Sequence, residues 1–189
     1  MNSTEELIAL CKLGNTAGYT GLYNEHADAV YNTILRLVGH SGEAEDLLQD
    51  SFVAAFQRLD QFAMTGGFRA WVKRIAINKS VDLIRKRHIN FVELDPGWMT
   101  AADESTLDEQ DYKYDMARIA AAIDTLPDGY RTVFNLYAVE NIPQAEIAQM
   151  LGLEHSTVRT QYHRARQKIV AALEKNNDHE RGTRRIHTK

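Results

Sequence analysis

The stretch from Ile142 to Leu173, IPQAEIAQMLGLEHSTVRTQYHRARQKIVAAL, limits what this chain can fold into more than any other. Two apolar patterns with a period near 3.6 stand either side of a glycine, which requires two helices joined by a tight turn. Ala145, Ile147, Ala148, Met150 and Leu151 make the apolar side of the first. Gly152 follows, where a helix end needs a residue that tolerates positive φ. His155 or Ser156 opens the second helix, with the Ser156 hydroxyl as its cap. Val158, Tyr162, Ala165, Ile169 and Leu173 form its apolar face, and Arg159, Thr160, His163, Arg164 and Arg166 fall outside it. Ala148, Gly152 and Val158 supply a small residue at the crossing, a turn glycine and a branched wedge, as a helix-turn-helix needs. Thr157, Arg159, Thr160 and His163 then lie near the start of the second helix, where side chains bond base edges or phosphates in a major groove. The plain alternative is an αα-hairpin with a solvated basic face.

A nucleic-acid partner is also suggested by how charge is distributed. The formal net charge of −4 over 189 residues hides alternating blocks. Residues 1–65 carry 3 Lys/Arg against 9 Asp/Glu, and residues 66–90 carry 7 against 1. Residues 91–130 carry 2 against 10, and residues 131–189 carry 10 against 6. Two basic blocks suggest two nucleic-acid contacts, and the acidic blocks suggest a different partner. Chance clustering on solvated helix faces is the alternative. A single cysteine, Cys11, excludes an internal disulfide and fits a reducing cytoplasm. No apolar run approaches the roughly 18 residues of a membrane helix, and MNSTEELIAL has no basic leader, so neither export nor membrane insertion is expected.

Taken in order, Ser3 to Leu13 reads as a helix with Ser3 and Glu6 as a capping box, stopped at Gly14-Asn15. Thr16 to Val38 places Tyr19, Leu22, Tyr23, His26, Val30, Ile34 and Leu37 on one face, and Gly39-His40-Ser41-Gly42 breaks it. The third helix, EAEDLLQDSFVAAFQRL, buries Ala44, Leu47, Leu48, Phe52, Ala55, Phe56 and Leu59. Glu43, Glu45, Asp46 and Asp50 suit the positive end of its dipole. Four carboxylates in eight residues exceed that need and point to a basic partner. Asp60 to Gly67 is a loop.

The fourth helix, FRAWVKRIAINKSVDLIRKR, is apolar on two sides and densely basic. Arg74, Asn78 and Arg85 share a face, with Asp82 placed to pair with Arg85 or Asn78. With Phe62 as an exposed aromatic beside it, and Lys73, Arg74, Asn78 and Lys79 along it, this stretch suits single-stranded nucleic acid. A bundle helix with snorkelling Lys and Arg fits the composition equally well. From His88 to Gln110 periodicity is lost in an acidic, flexible linker, although Trp98 and Met99 suggest that part of it docks. The helical pattern returns from Tyr112 through Met116, Ile119, Ala120, Ile123 and Leu126. Pro127-Asp128-Gly129 reads as a turn, Tyr130 to Val139 as a short helix, and the tail from Asn176 as disordered.

No catalytic or metal constellation emerges. There is no phosphate loop, HExxH or CxxC, and His155 and His163 stand too far apart to share a metal alone. No cofactor is expected. The acids from Glu43 to Asp50 lack the carboxylates from a second element that a nuclease centre would use.

Three segments in order resemble a bacterial sigma factor of the extracytoplasmic-function group, over roughly residues 15–88 and 113–173. EAEDLLQDSFVAAF resembles the helix that binds the clamp helices of the RNA polymerase β′ subunit. FRAWVKRIAINKSVDLIRKR, with its Trp and IAxN, resembles the −10 element helix. LPDGYRTVFNLYAVENIPQAEIAQMLGLEHSTVRTQYHRAR resembles the region that binds the −35 element. The resemblance implies an all-α fold of two small helical domains joined by a flexible acidic linker. Residues 1–88 would be region 2, residues 89–112 the linker, residues 113–175 region 4 and residues 176–189 a disordered tail.

The resemblance also implies roles by position. Glu45, Asp46, Gln49 and Asp50 would meet the polymerase. Phe62, Lys73, Arg74, Asn78 and Lys79 would meet the −10 strand, with a flipped base between the loop Asp60 to Gly67 and Asn78. Ser156, Thr157, Arg159, Thr160, His163 and Arg164 would face the −35 duplex. The implied partners are the polymerase core, through the β′ clamp helices and the β flap, promoter DNA, and an anti-sigma factor, all in the cytoplasm. The chain departs from the family's pattern at Asn141, where a glycine is frequent, and at Pro143, which removes a side-chain cap. A stand-alone helix-turn-helix regulator is the rival; it accounts for residues 143–173 and leaves the acidic and basic helices without a task.

Overall fold

A computed structural model of the chain describes residues 3–63, 67–87 and 116–186, with side chains to 175. The expected linker therefore lies outside the described residues, as do Trp98 and Met99. Among the described residues there are helices and turns and no strand. The chain divides into two compact units, Met1–Ile89 and Asn90–Lys189.

The first unit holds α1 (Thr4–Lys12), α2 (Thr16–Val38), α3 (Ser41–Gln57) and α4 (Phe68–Lys86). The capping box forms as the residues require: Ser3 Oγ accepts from the Glu6 amide at 3.2 Å and the Glu6 carboxylate accepts from the Ser3 amide at 3.0 Å. Asn15 caps α2 through the Ala17 amide at 2.9 Å. Gly18 lets α1 lie against α2, since a Cβ there would stand 2.6 Å from the Leu7 carbonyl oxygen. Helices α2, α3 and α4 pack on one another around Leu22, Val30, Ile34, Phe52, Phe68, Val72 and Ile84.

The break after α2 is shorter than expected. Gly39 takes the left-handed conformation that ends α2, and α3 already starts at Ser41, so Ser41 and Gly42 are helical. One left-handed residue is enough to end a helix, and the next then starts as soon as side chains permit. Leu47 is half-buried and Val53 exposed, so the core side of α3 narrows to Ala44, Leu48, Ser51, Phe52 and Ala55. After α3 a 3₁₀ turn at Leu59–Gln61 leads to Phe62. At the far end of α4, Arg87 donates to the Val38 carbonyl at 2.9 Å and pairs with Glu43, tying α4 to the end of α2 and the start of α3.

The second unit holds α5 (Met116–Asp124), α6 (Asp128–Phe134), α7 (Gln144–Leu151) and α8 (His155–Ile186), with a π-helical turn at Asn135–Val139 after α6. Its core joins Ala122, Leu126, Tyr130, Ala165, Ile169 and Leu173. Several expectations are corrected here. Met116, Ala120 and Ala145 are exposed, because α5 and α7 each turn a narrower stripe to α8 than their apolar spacing suggested. Asp128 and Gly129 form the first turn of α6 rather than a loop, since Pro127 at its cap starts a helix as readily as it ends one. Ser156 lies inside α8, whose first turn closes on the Glu154 carbonyl, so its hydroxyl cannot be the N-cap. The tail is helical to Ile186 instead of disordered from Asn176. Extending a helix that has already nucleated costs far less than starting one, and no proline intervenes.

Candidate nucleic-acid and protein interfaces

In the second unit, Pro143 stands at the start of α7 with no side-chain cap, and Asn141 takes φ 55°, the positive value its amide tolerates. Gly152 ends α7 in the left-handed conformation, and the Leu153 amide bonds the Ala148 carbonyl at 2.9 Å. This closes a short turn and packs α8 on α7, with Val158, Ile147 and Ala148 all buried. The opposite side of α8 holds the candidate −35 residues. Ser156, Arg159, Thr160 and His163 are exposed, while Thr157 and Arg164 are half-buried. The Thr160 hydroxyl donates to the Ser156 carbonyl at 2.9 Å, leaving its oxygen as an acceptor outward. His163 Nε2 lies 3.0 Å from Gln167 Nε2, one turn further along.

Sequence periodicity missed Gln161, which is 4% exposed. It lies between Val158 and Ala165 on the inner face, and a polar letter there hides its burial. Tyr162 is half-buried, 4.6 Å from the Tyr137 ring and 6.0 Å from the Phe134 ring. Burial pushes its phenol above the ordinary value, against the lowering effect of Arg166.

In the first unit, α3 presents Glu45, Asp46, Gln49 and Asp50 together on its exposed side, one turn apart along the helix. Val53, 54% exposed, continues the same side; its apolar letter had no place in a purely acidic reading. On α4, Arg74 and Asn78 are exposed and Lys73 and Lys79 half-buried. Asp82 pairs with Arg85 at 4.0 Å, as their spacing suggested. Lys79 reaches the neighbouring helix, its Nζ 3.8 Å from Asp50 Oδ2, which links one residue of each candidate interface.

Phe62 is corrected. It is not an exposed stacking surface: the residue is 9% exposed, and its ring lies 5.2 Å from the Trp71 ring and 5.9 Å from Phe68. A loop aromatic next to a helix start gains more by burying its ring than by waiting for a base. Trp71 is the half-buried aromatic at this place. Residues 64–66 of the expected base-binding loop lie outside the described residues. A cleft of about 560 Å³ opens between the starts of α1 and α4, bordered by Thr4, Glu5, His26, Arg69 and Lys73. His26 is 3% exposed against the Phe68 ring at 5.5 Å. Burial lowers its pKa, and Glu25, with Nε2 3.7 Å from its carboxylate, acts in the opposite direction. Among the described residues no three His, Cys, Asp or Glu side chains are grouped to hold a metal, and no helix is long and apolar enough to cross a membrane.

Comparison with known proteins adds to this geometry. Residues 22–88 match the family Sigma-70 region 2, and residues 116–169 match Sigma-70, region 4. The ECF RNA polymerase sigma factor SigE of Mycolicibacterium smegmatis is 34% identical over 82% of this chain, which spans 61% of that protein's length. The RNA polymerase sigma factor CnrH of Cupriavidus metallidurans is 32% identical, over 89% of this chain and 93% of that one. Among solved structures, CnrH in complex with the cytosolic domain of CnrY is similar with a TM-score of 0.50 at 30% identity, covering 92% of this chain and 98% of that chain.

Proposed function

The chain belongs to the RNA polymerase sigma factors of the extracytoplasmic-function group, and from that premise we propose that it directs the polymerase core to promoters by reading a −10 and a −35 element. The observation that carries this is the division into two helical units, each presenting charged side chains on the side away from its core. The first unit meets the β′ clamp helices through Glu45, Asp46, Gln49 and Asp50, and the melted −10 strand through Lys73, Arg74, Asn78 and Lys79. The second meets the −35 duplex through Ser156, Thr157, Arg159, Thr160, His163 and Arg164, and the β flap elsewhere. The chemistry of RNA synthesis belongs to the polymerase; this chain positions it, in the cytoplasm. An anti-sigma factor is a further expected partner, supported by the complex that the similar CnrH forms with the cytosolic domain of CnrY.

The test is reconstitution. Purified chain added to polymerase core should yield transcripts whose start sites share one upstream sequence pair, read by sequencing their 5′ ends. DNA binding without core, together with no transcripts in its presence, would favour the stand-alone regulator. DNA cleavage with a divalent ion would favour a nuclease.

A further inference from the structure

We propose that Gln167 is a positioning residue that fixes the tautomer of His163 and thereby the base edge that His163 reads. The inference rests on the reading that the outer side of α8 meets the −35 duplex. Both side chains are exposed, and Gln167 Nε2 stands 3.0 Å from His163 Nε2. Positions four apart on a helix are neighbours, so this pairing needs no backbone adjustment.

A neutral imidazole has one donor and one acceptor nitrogen, and the bond made by one decides the role of the other. With the Gln167 amide donating, His163 Nε2 is the acceptor and the proton sits on Nδ1. The ring is then a donor at Nδ1. That matches guanine N7 and O6, adenine N7 and thymine O4, and mismatches the amino groups of adenine and cytosine. Without Gln167, both tautomers are open to the ring and an amino edge becomes as acceptable as a carbonyl. The neighbouring turn shows the same device. Thr160 spends its hydroxyl proton on the Ser156 carbonyl at 2.9 Å and so faces outward as an acceptor. An intrahelical bond thus sets the hydrogen-bonding sense of Thr160, and the Gln167 amide, with its nitrogen turned toward Nε2, would set that of His163 before DNA arrives.

The experiment has two readouts on the full chain. Long-range proton–nitrogen spectra of the nitrogen-15-labelled protein identify which ring nitrogen of His163 is protonated. Selection from a randomised duplex pool by the chain bound to polymerase core then gives base preferences for the wild type, His163→Ala and Gln167→Ala. The expected result is Nδ1–H in the wild type and a shift toward Nε2–H in Gln167→Ala. At the base pair whose preference is lost in His163→Ala, Gln167→Ala should lower discrimination against amino edges by about fivefold. Thermal unfolding should be unaltered, because both side chains are exposed. An Nε2-protonated ring in the wild type overturns the proposal. So does an unchanged preference in Gln167→Ala where His163→Ala has lost it. If His163→Ala keeps every base preference, the DNA-facing reading of His163 fails first, and the proposal falls with it.

Discussion

Arg159 and Val158 are neighbours in sequence and opposites in environment: Val158 is fully buried under α7 and Arg159 is exposed. A guanidinium in that place, near the start of α8, has the geometry for bidentate bonding to a guanine edge or for a phosphate. Arg159→Ala should weaken −35 binding by about 1–3 kcal/mol with the fold intact. A collapse in thermal stability with unchanged DNA affinity would show Arg159 to be a packing residue. His26 is a second residue whose environment decides its chemistry. Its ring lies on Phe68, with Nε2 3.7 Å from the Glu25 carboxylate. Burial lowers its folded pKa below the ordinary histidine value, so the unfolded chain binds the proton more tightly. Its contribution to stability is therefore complete above the unfolded value of about 6.5 and is lost as pH falls toward the folded one. Denaturant midpoints of the wild type should drop between neutral and mildly acidic pH, and His26→Gln should flatten that drop. Equal slopes in the two proteins would remove His26 from the account.

At the scale of the helix, α3 separates a core side from an acidic side, and the two can be altered independently. Charge reversal at Asp46 and Asp50 should abolish assembly with polymerase core in gel filtration while far-UV dichroism stays unchanged. Asp50 also faces Lys79 on α4 at 3.8 Å, so its reversal repels that lysine as well. Reversal of Asp46 alone separates the two effects. An exposed pair of this kind contributes at most about 1 kcal/mol, so assembly and not stability is the quantity to measure. Normal assembly of the double variant would place the polymerase contact elsewhere. The contact between α1 and α2 offers a stability test with no charge involved. Gly18→Ala puts a methyl group 2.6 Å from the Leu7 carbonyl and 2.9 Å from Cys11 Sγ. The two helices must separate, at a cost of about 1–3 kcal/mol. A variant as stable as the wild type would mean that α1 shifts freely on α2.

Under the proposed function, strand capture and duplex binding fall to different units, so one can be lost while the other persists. Asn78 is exposed on α4, in line with Arg74, and offers an amide that both donates and accepts. Asn78→Ala should spare polymerase and −35 binding and slow promoter opening, read as permanganate reactivity of unpaired thymines near the start site. A premelted promoter should rescue transcription only in part, because base capture is lost along with strand separation. Opening at the wild-type rate would make Asn78 a surface residue without a role in melting.

What the sequence determined by itself was set by neighbours along the chain. The Ser3–Glu6 capping box, the left-handed Gly152, and burial of Val158, Ala165, Ile169 and Leu173 all follow from spacings of a few residues. These were legible because caps, turns and helix faces are local in origin. The three motifs that carried the family resemblance, and with it the candidate sites, were legible for the same reason. Only the tertiary structure decided the rest. Phe62 turns inward because Phe68 and Trp71 on the next helix offer it a surface, and no spacing within the loop states that. Gln161 is buried because neighbouring helices cover that side of α8, although its letter is polar. Lys79 meets Asp50 because α3 and α4 pack side by side, bringing together groups 29 positions apart. In each case the deciding partner lies on another element, and a pattern read along one helix carries no information about what that helix will meet.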